Sequence, residues 1–289
     1  MRNLVIFTDV GGDSDDTLML IMARHAHMRG ECNVLGVVCA GTHDNYASST
    51  YAHWLMNPQW IEIPVIADPG MLSLPEIYPT PSYPPIQSEH KMFGMLADRL
   101  AKLDEPLTYL VCSPTTAVPR LLGTLGFSSG QRTGRLLRPS CSPVKLILMG
   151  MLNEDGTPNF EKAYNLRADS EATEAMFHAI ERGEMVIDMV VDRDECYQYP
   201  ITSNFWFNSN YGSGRRNPLM KHYELLVKRN LRIVEKELPD VWERVYKDSE
   251  TMATPYDAVT FWKAVYPGEG LEIFWNRLRE AMDDHPRSV

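Results

Sequence analysis

Six short apolar runs do most to limit what this chain can fold into. They are Leu4–Phe7, Val34–Ala40, Pro64–Ala67, Leu107–Cys112, Val144–Met149 and Met185–Val191. Several are nearly continuous rather than alternating, which is how a strand reads when both faces of its sheet are covered. Segments with helical spacing fall between them: Thr17–Met28, Asn45–Met56, Glu89–Leu103, Thr115–Leu125 and Ser170–Arg182. The last follows Asp169, a residue type suited to cap free N–H groups at a helix start. Strand and helix alternate in this way over the first 190 or so of 289 residues. The pattern predicts an α/β fold with a mainly parallel, doubly wound sheet. After Pro200 the pattern turns helical, with Pro218–Leu238 and Leu271–Met282 as an additional C-terminal helical region. No repeat and no low-complexity linker interrupts the chain, so residues 1–289 are expected to form one domain.

Composition narrows the class. The net charge is −10, a poor match to a nucleic-acid backbone. There is no 18-residue apolar stretch and no signal-peptide core, so neither a membrane span nor secretion is expected and a cytoplasmic setting is the default. The five cysteines, Cys32, Cys39, Cys112, Cys141 and Cys196, are odd in number and lack C-x-x-C spacing. They read as reduced thiols, Cys39 and Cys112 as small core residues, rather than as a disulfide or zinc framework. Two segments read as loops: the proline-rich Asp68–Gln87, and Gly126–Pro143 with Arg132, Arg135 and Arg138. The second is either a solvated loop or a flap that contacts an anion.

The chemistry concentrates at the end of the first run. Residues 7–16 read FTDVGGDSDD, four carboxylates with no base among them. In a parallel α/β sheet, ligands bind beyond the carboxyl ends of the strands. Asp9 lies just past the first strand, and Asp15 and Asp16 lie at the start of the first helix. An aspartate at a helix start is stabilised by free N–H groups and the macrodipole, which accounts for Asp15 or Asp16 alone but not for Asp9 as well. Converging carboxylates raise one another's pKa, so a cation is expected among them, and a hard divalent ion with oxygen ligands suits the donors. Other readings fail on spacing. An EF-hand loop counted from Asp9 would need Glu at the position of Leu20, Asp9 is not followed by a second Asp two residues on, and no Gly-Lys-Ser/Thr phosphate loop is present.

The stretch FTDVGGDSDDTLMLIMA resembles the N-terminal signature of the inosine–uridine-preferring nucleoside hydrolases, in a longer form of its aspartate motif with Phe7 in place of the first Asp. The likeness continues in order through VLGVVCAG, LTYLVCSPTTAV, LILMGM, AYNLRADSEA and YDAVTFWKAVYP, over residues 4–267. The resemblance implies an enzyme that hydrolyses the N-glycosidic bond of a ribonucleoside or related ribosyl compound. It implies Ca2+ held by the carboxylates of Asp9, Asp16 and Asp257 and by the backbone carbonyl of Thr116. Asp9 would also be the general base, while Asp15 and Asn165 would each hold a ribose hydroxyl. A small-molecule partner and a homodimer or homotetramer are implied with it.

Departures from the family pattern fall on the sugar and leaving-group side. Ala163 and Thr157 stand where Glu and Asn usually grip the 5′-hydroxyl. Thr42 replaces an Asn that contacts the sugar, and Tyr256 replaces the His that assists the leaving base. A phenol can donate a proton but is the weaker acid. The metal half of the site is expected to be intact and the other half remodelled. Two outcomes remain open: a hydrolase for a ribosyl compound with a different or phosphorylated 5′ group, or a homologue that binds a ribosyl ligand with little or no turnover. Beyond these residues, Lys162 and Arg167 are either plain surface charges or contacts for a substrate phosphate, His43, Asp44 and His90 are candidates to line the pocket, and Phe205, Trp206, Phe207, Tyr211 and Arg215 to pack, stack or close over it.

Overall fold

A computed structural model describes residues 1–11, 14–41, 44–57, 62–68, 95–96, 99–100, 102–124, 143–202, 223, 227–228, 230–232, 234–236, 239–247 and 251–284. Its centre is a six-stranded sheet of β1 (Arg2–Thr8), β2 (Cys32–Cys39), β3 (Val65–Ala67), β4 (Leu107–Val111), β5 (Val144–Met149) and β6 (Met185–Val191), in the order β3-β2-β1-β4-β5-β6. Every pairing in it is parallel. The six apolar runs therefore become the six strands, within a residue or two at either end. A second, two-stranded antiparallel sheet pairs β7 (Ile201–Thr202) with β8 (Thr251–Ala253).

Both faces of the large sheet are covered over β1–β5, which is why those strands tolerate so few polar residues, while β6 at the edge leaves Val186 and Asp188 exposed. Side chains alternate along β1. Leu4 and Ile6 join the core on one face, while Val5 and Phe7 join the core on the other. The first face packs against α1 (Asp15–Met28) and α2 (Asn45–Met56). The second packs against α3 (Ala117–Thr124), α4 (Ser170–Glu181) and Leu96 and Leu100. Asp169 caps α4 by accepting the Ala172 N–H at 3.0 Å, as its position predicted. Gly36 in β2 sits in close packing: a Cβ there would come within 2.7 Å of the Leu96 side chain, which would have to shift.

Helix α1 is apolar around most of its circumference, a sign of a helix with no solvent face. Residues 15 to 26 of it are all buried. The sheet lies on one side, and α5 (Tyr256–Val265) and α6 (Leu271–Asp283) pack over the other. The C-terminal helices thus complete the covering of the first helix and bring residues near 257 back to the end of β1. Among the described residues, no helix is long and apolar enough to cross a membrane. Most of the expected helices Glu89–Leu103 and Pro218–Leu238 lies outside the described residues, as do residues 69–87 and 126–142 with Arg132, Arg135, Arg138 and Cys141.

Candidate functional site

The strand order reverses direction at β1. Its sequence neighbour β2 lies on one side and β4 on the other, so the connections leaving their carboxyl ends diverge and open a crevice. The ladder holds up to that point: Ala40 N–H donates to the Thr8 carbonyl and Cys112 N–H to the Phe7 carbonyl, each at 3.0 Å. Beyond it the chain turns. Gly11 adopts φ 104°, a conformation open to glycine at little steric cost. Gly41, after β2, has φ +86° and lies so close to Pro114, after β4, that a Cβ would come within 2.5 Å of the proline ring. The loops that follow β2 and β4 therefore meet near the tip of β1.

Three carboxylates converge at this tip from separate elements. Asp9 follows β1, Asp16 is in the first turn of α1, and Asp257 is in the first turn of α5. Each offers an oxygen, and these atoms lie within 4.8 Å of one another. Asp16 and Asp257 are buried, and Asp9 is partly exposed. At an effective dielectric of about 20, each such pair of full charges repels by roughly 3–4 kcal/mol. The positive ends of α1 and α5 offset only part of this. The donor set consists of hard oxygens, as a divalent cation such as calcium prefers. The Thr116 hydroxyl, in the turn before α3, is buried without a hydrogen-bond partner among the described residues. It leaves one more oxygen at this edge of the sheet for a ligand to satisfy.

Local bonds orient the acids. Thr8 Oγ1, fully buried, donates to Asp16 Oδ1 and accepts the Val10 N–H at 3.2 Å. Asp15 Oδ2 accepts the N–H of Asp257 at 3.4 Å, joining the starts of α1 and α5 across 242 positions of sequence. The thiols of Cys39 and Cys112, on either side of β1, are held far above their ordinary pKa. Burial is the main cause for both. Asp16 and Asp9 add to it for Cys39, and Asp16, Asp15 and Asp9 for Cys112, while a hydrogen bond with Asp257 opposes the shift at Cys112. Both are neutral core thiols.

On the other flank stand three tyrosines. The rings of Tyr197 and Tyr256 meet edge to face at 5.9 Å between centroids, and Tyr246 shares a hydrogen bond with Thr254 at 3.0 Å. Burial first, then Tyr246, Tyr197 and Asp15, push the Tyr256 phenol far above its ordinary pKa. It is a neutral hydroxyl that can offer a hydrogen bond.

The remaining candidates are spread more widely. Asn165, in the short helix Tyr164–Ala168, places its amide 3.7 Å from Sδ of Met149 at the end of β5. Thr157 is exposed in the Asn153–Thr157 turn, where its hydroxyl donates to Asp155 at 2.6 Å and accepts from Asn153 at 2.9 Å. Ala163 is buried. Arg167 is tied to the carbonyls of Phe160 and Glu161, and Lys162 is exposed. Asp44 caps α2 through the Ala47 N–H at 2.8 Å. Thr42, His43, His90, Asp13, Phe205, Trp206, Phe207, Tyr211 and Arg215 lie outside the described residues. Sequence reasoning passed over Thr8, Tyr197 and Tyr246. A threonine in an apolar run reads as an ordinary strand residue, and nothing local marks the tyrosines.

No family model and no curated protein matches the chain by sequence. Solved structures do match in shape. The type III effector protein XopQ, in complex with adenosine diphosphate ribose, superposes with a TM-score of 0.66 at 15% identity, over 97% of this chain and 93% of that one. A plant nucleoside hydrolase gives 0.57 at 16% identity, over 92% and 79%. The inosine–uridine preferring nucleoside hydrolase of Bacillus anthracis gives 0.56 at 13% identity, over 92% and 82%. At these identities the likeness establishes an open α/β fold of the kind these proteins share.

Proposed function

We propose that this chain binds a ribosyl compound at the tip of β1 and hydrolyses its N-glycosidic bond with the help of a divalent cation, calcium by preference. One observation carries the reading: carboxylates from three separate elements, one of them more than 240 positions from Asp9 and Asp16, converge at the point where the sheet order reverses. Asp9, Asp16 and Asp257 would hold the ion with the Thr116 carbonyl. A bound calcium ion would orient a water and the ribose diol and lower the pKa of that water somewhat.

The chain's own residues do the rest. Asp9, the most exposed of the three acids, takes a proton from the attacking water. The water oxygen bonds to the anomeric carbon as the carbon–nitrogen bond breaks, and its electron pair leaves with the base. Tyr256, next to Asp257, offers the departing base a hydrogen bond. Asp15, Asn165, Thr42 and Thr157 are assigned to the sugar. Asp15 is held in orientation by the Asp257 N–H on its Oδ2.

The 5′ side of the substrate is proposed to carry more than a hydroxyl. Ala163 stands where the resemblance places a glutamate, so no carboxylate at that position repels a phosphate. XopQ, similar in fold, is described in complex with adenosine diphosphate ribose. That complex also favours the second reading, a binding protein with little turnover. Base release from inosine, uridine, their 5′-phosphates and adenosine diphosphate ribose, with calcium and with chelator, separates the two. Release that chelator abolishes supports the hydrolase. Calcium-dependent binding without release supports the binding protein. Best turnover of unmodified inosine or uridine would contradict the assignment of the 5′ side.

A further inference from the structure

We propose that Thr8 is the positioning residue of the cation site, the group that fixes how Asp16 presents its carboxylate. The inference rests on the cation reading above and adds to it a residue outside the carboxylate set.

The geometry follows from the strand. Thr8 is the last residue of β1 and, by alternation, shares the face of Leu4 and Ile6, on which α1 packs. Its side chain thus points beneath the first turn of α1, where Asp16 begins its climb. A carboxylate only accepts, so the Thr8 hydroxyl donates and its proton points at Asp16 Oδ1. A lone pair of the Thr8 hydroxyl oxygen takes the N–H of Val10, the residue after Asp9, at 3.2 Å. One buried hydroxyl therefore ties the loop that carries Asp9 to the side chain of Asp16. With Oδ1 committed to Thr8, the carboxylate cannot rotate freely, and its orientation toward Asp9 and Asp257 is set before any ion arrives. A partner of this kind is worth about 10–100-fold in metal affinity in characterised sites.

The test is a calorimetric titration of calcium into metal-stripped protein, comparing wild type with Thr8→Val and Thr8→Ser. Valine keeps the branched shape and removes the donor, whereas serine keeps the donor. The expected result is a loss of about 10–100-fold for valine and affinity within about threefold of wild type for serine. If Thr8→Val does not fold, Thr8→Cys takes its place and is expected to fall between valine and serine, its thiol being a weak donor. Saturating calcium should restore ribosyl binding in the weakened variant, which a general folding defect would not allow. Equal affinity in wild type and the donor-less variant would overturn the role of Thr8 while leaving the cation site standing, and so would a serine variant as weak as valine. A wild-type protein that binds no calcium would overturn both.

Discussion

At its amino end α1 buries Asp15 and Asp16, and near its carboxyl end it buries Arg24 and His25. The two ends handle charge differently. At the amino end the acids are met by donors: the Thr8 hydroxyl on Asp16, the Asp257 N–H on Asp15, and the positive pole of the helix. Arg24 is fully buried, yet none of its three guanidinium nitrogens has a hydrogen-bond partner among the described residues. Burial lowers its pKa, opposed by the charge of Asp284. His25 Nδ1 lies 2.9 Å from Asp284 and Nε2 lies 3.7 Å from Glu280, but both acids are more than half exposed. One end has charges drawn from three elements and held in fixed orientations. The other has a cation whose desolvation nothing nearby among the described residues fully repays. Burial of charge alone does not mark a site; convergence with assigned donors does.

The comparison can be broken or sharpened by experiment. The largest effect is expected at the amino end: Asp9→Ala should cut base release by about 10²–10⁴, as removal of a general base does, measured on the preferred ribosyl substrate. A variant retaining more than a tenth of wild-type activity would remove Asp9 from that role. Next, calcium at 100-fold over its dissociation constant should stabilise the wild type by about 2.7 kcal/mol, read as a rise in unfolding midpoint. The rise should vanish in Asp16→Ala and persist in Arg24→Met, since only the amino end takes the ion. At the carboxyl end, Arg24→Met should raise stability by about 1 kcal/mol or more, because an apolar chain of similar length replaces a buried cation with no hydrogen-bond partner among the described residues. A lowered urea midpoint would show that Arg24 has a compensating interaction. The smallest effect is expected for His25→Gln, under about 1 kcal/mol, given how exposed its partners are.

Much of the architecture was legible in the sequence because a doubly covered sheet forces its strands to be continuously apolar. Val144–Met149 and Met185–Val191 appear as strands with the limits the runs had, and Asn45–Met56 as a helix with its expected limits. Asp9 and Asp16 were legible for a second reason: a dense carboxylate stretch at a strand tip stands out from its neighbours. Asp257 was not. One aspartate in YDAVTFWKAVYP reads as an ordinary helix-start acid, and only resemblance tied it to residues near 9. Thr8 was invisible because its role depends on which face of β1 meets α1. The Asp15 bond to the Asp257 backbone was invisible because it spans nearly the whole chain. Local pattern records what each element buries, and it does not record which distant element arrives to share that space.

The central claim is that Asp9, Asp16 and Asp257 form one cation site. Calorimetric titration of calcium into metal-stripped wild type and Asp257→Asn tests it most directly. The account predicts saturable binding of one ion per chain in the wild type and its loss when Asp257 is neutralised. Undiminished binding in Asp257→Asn, or none in the wild type, would contradict it.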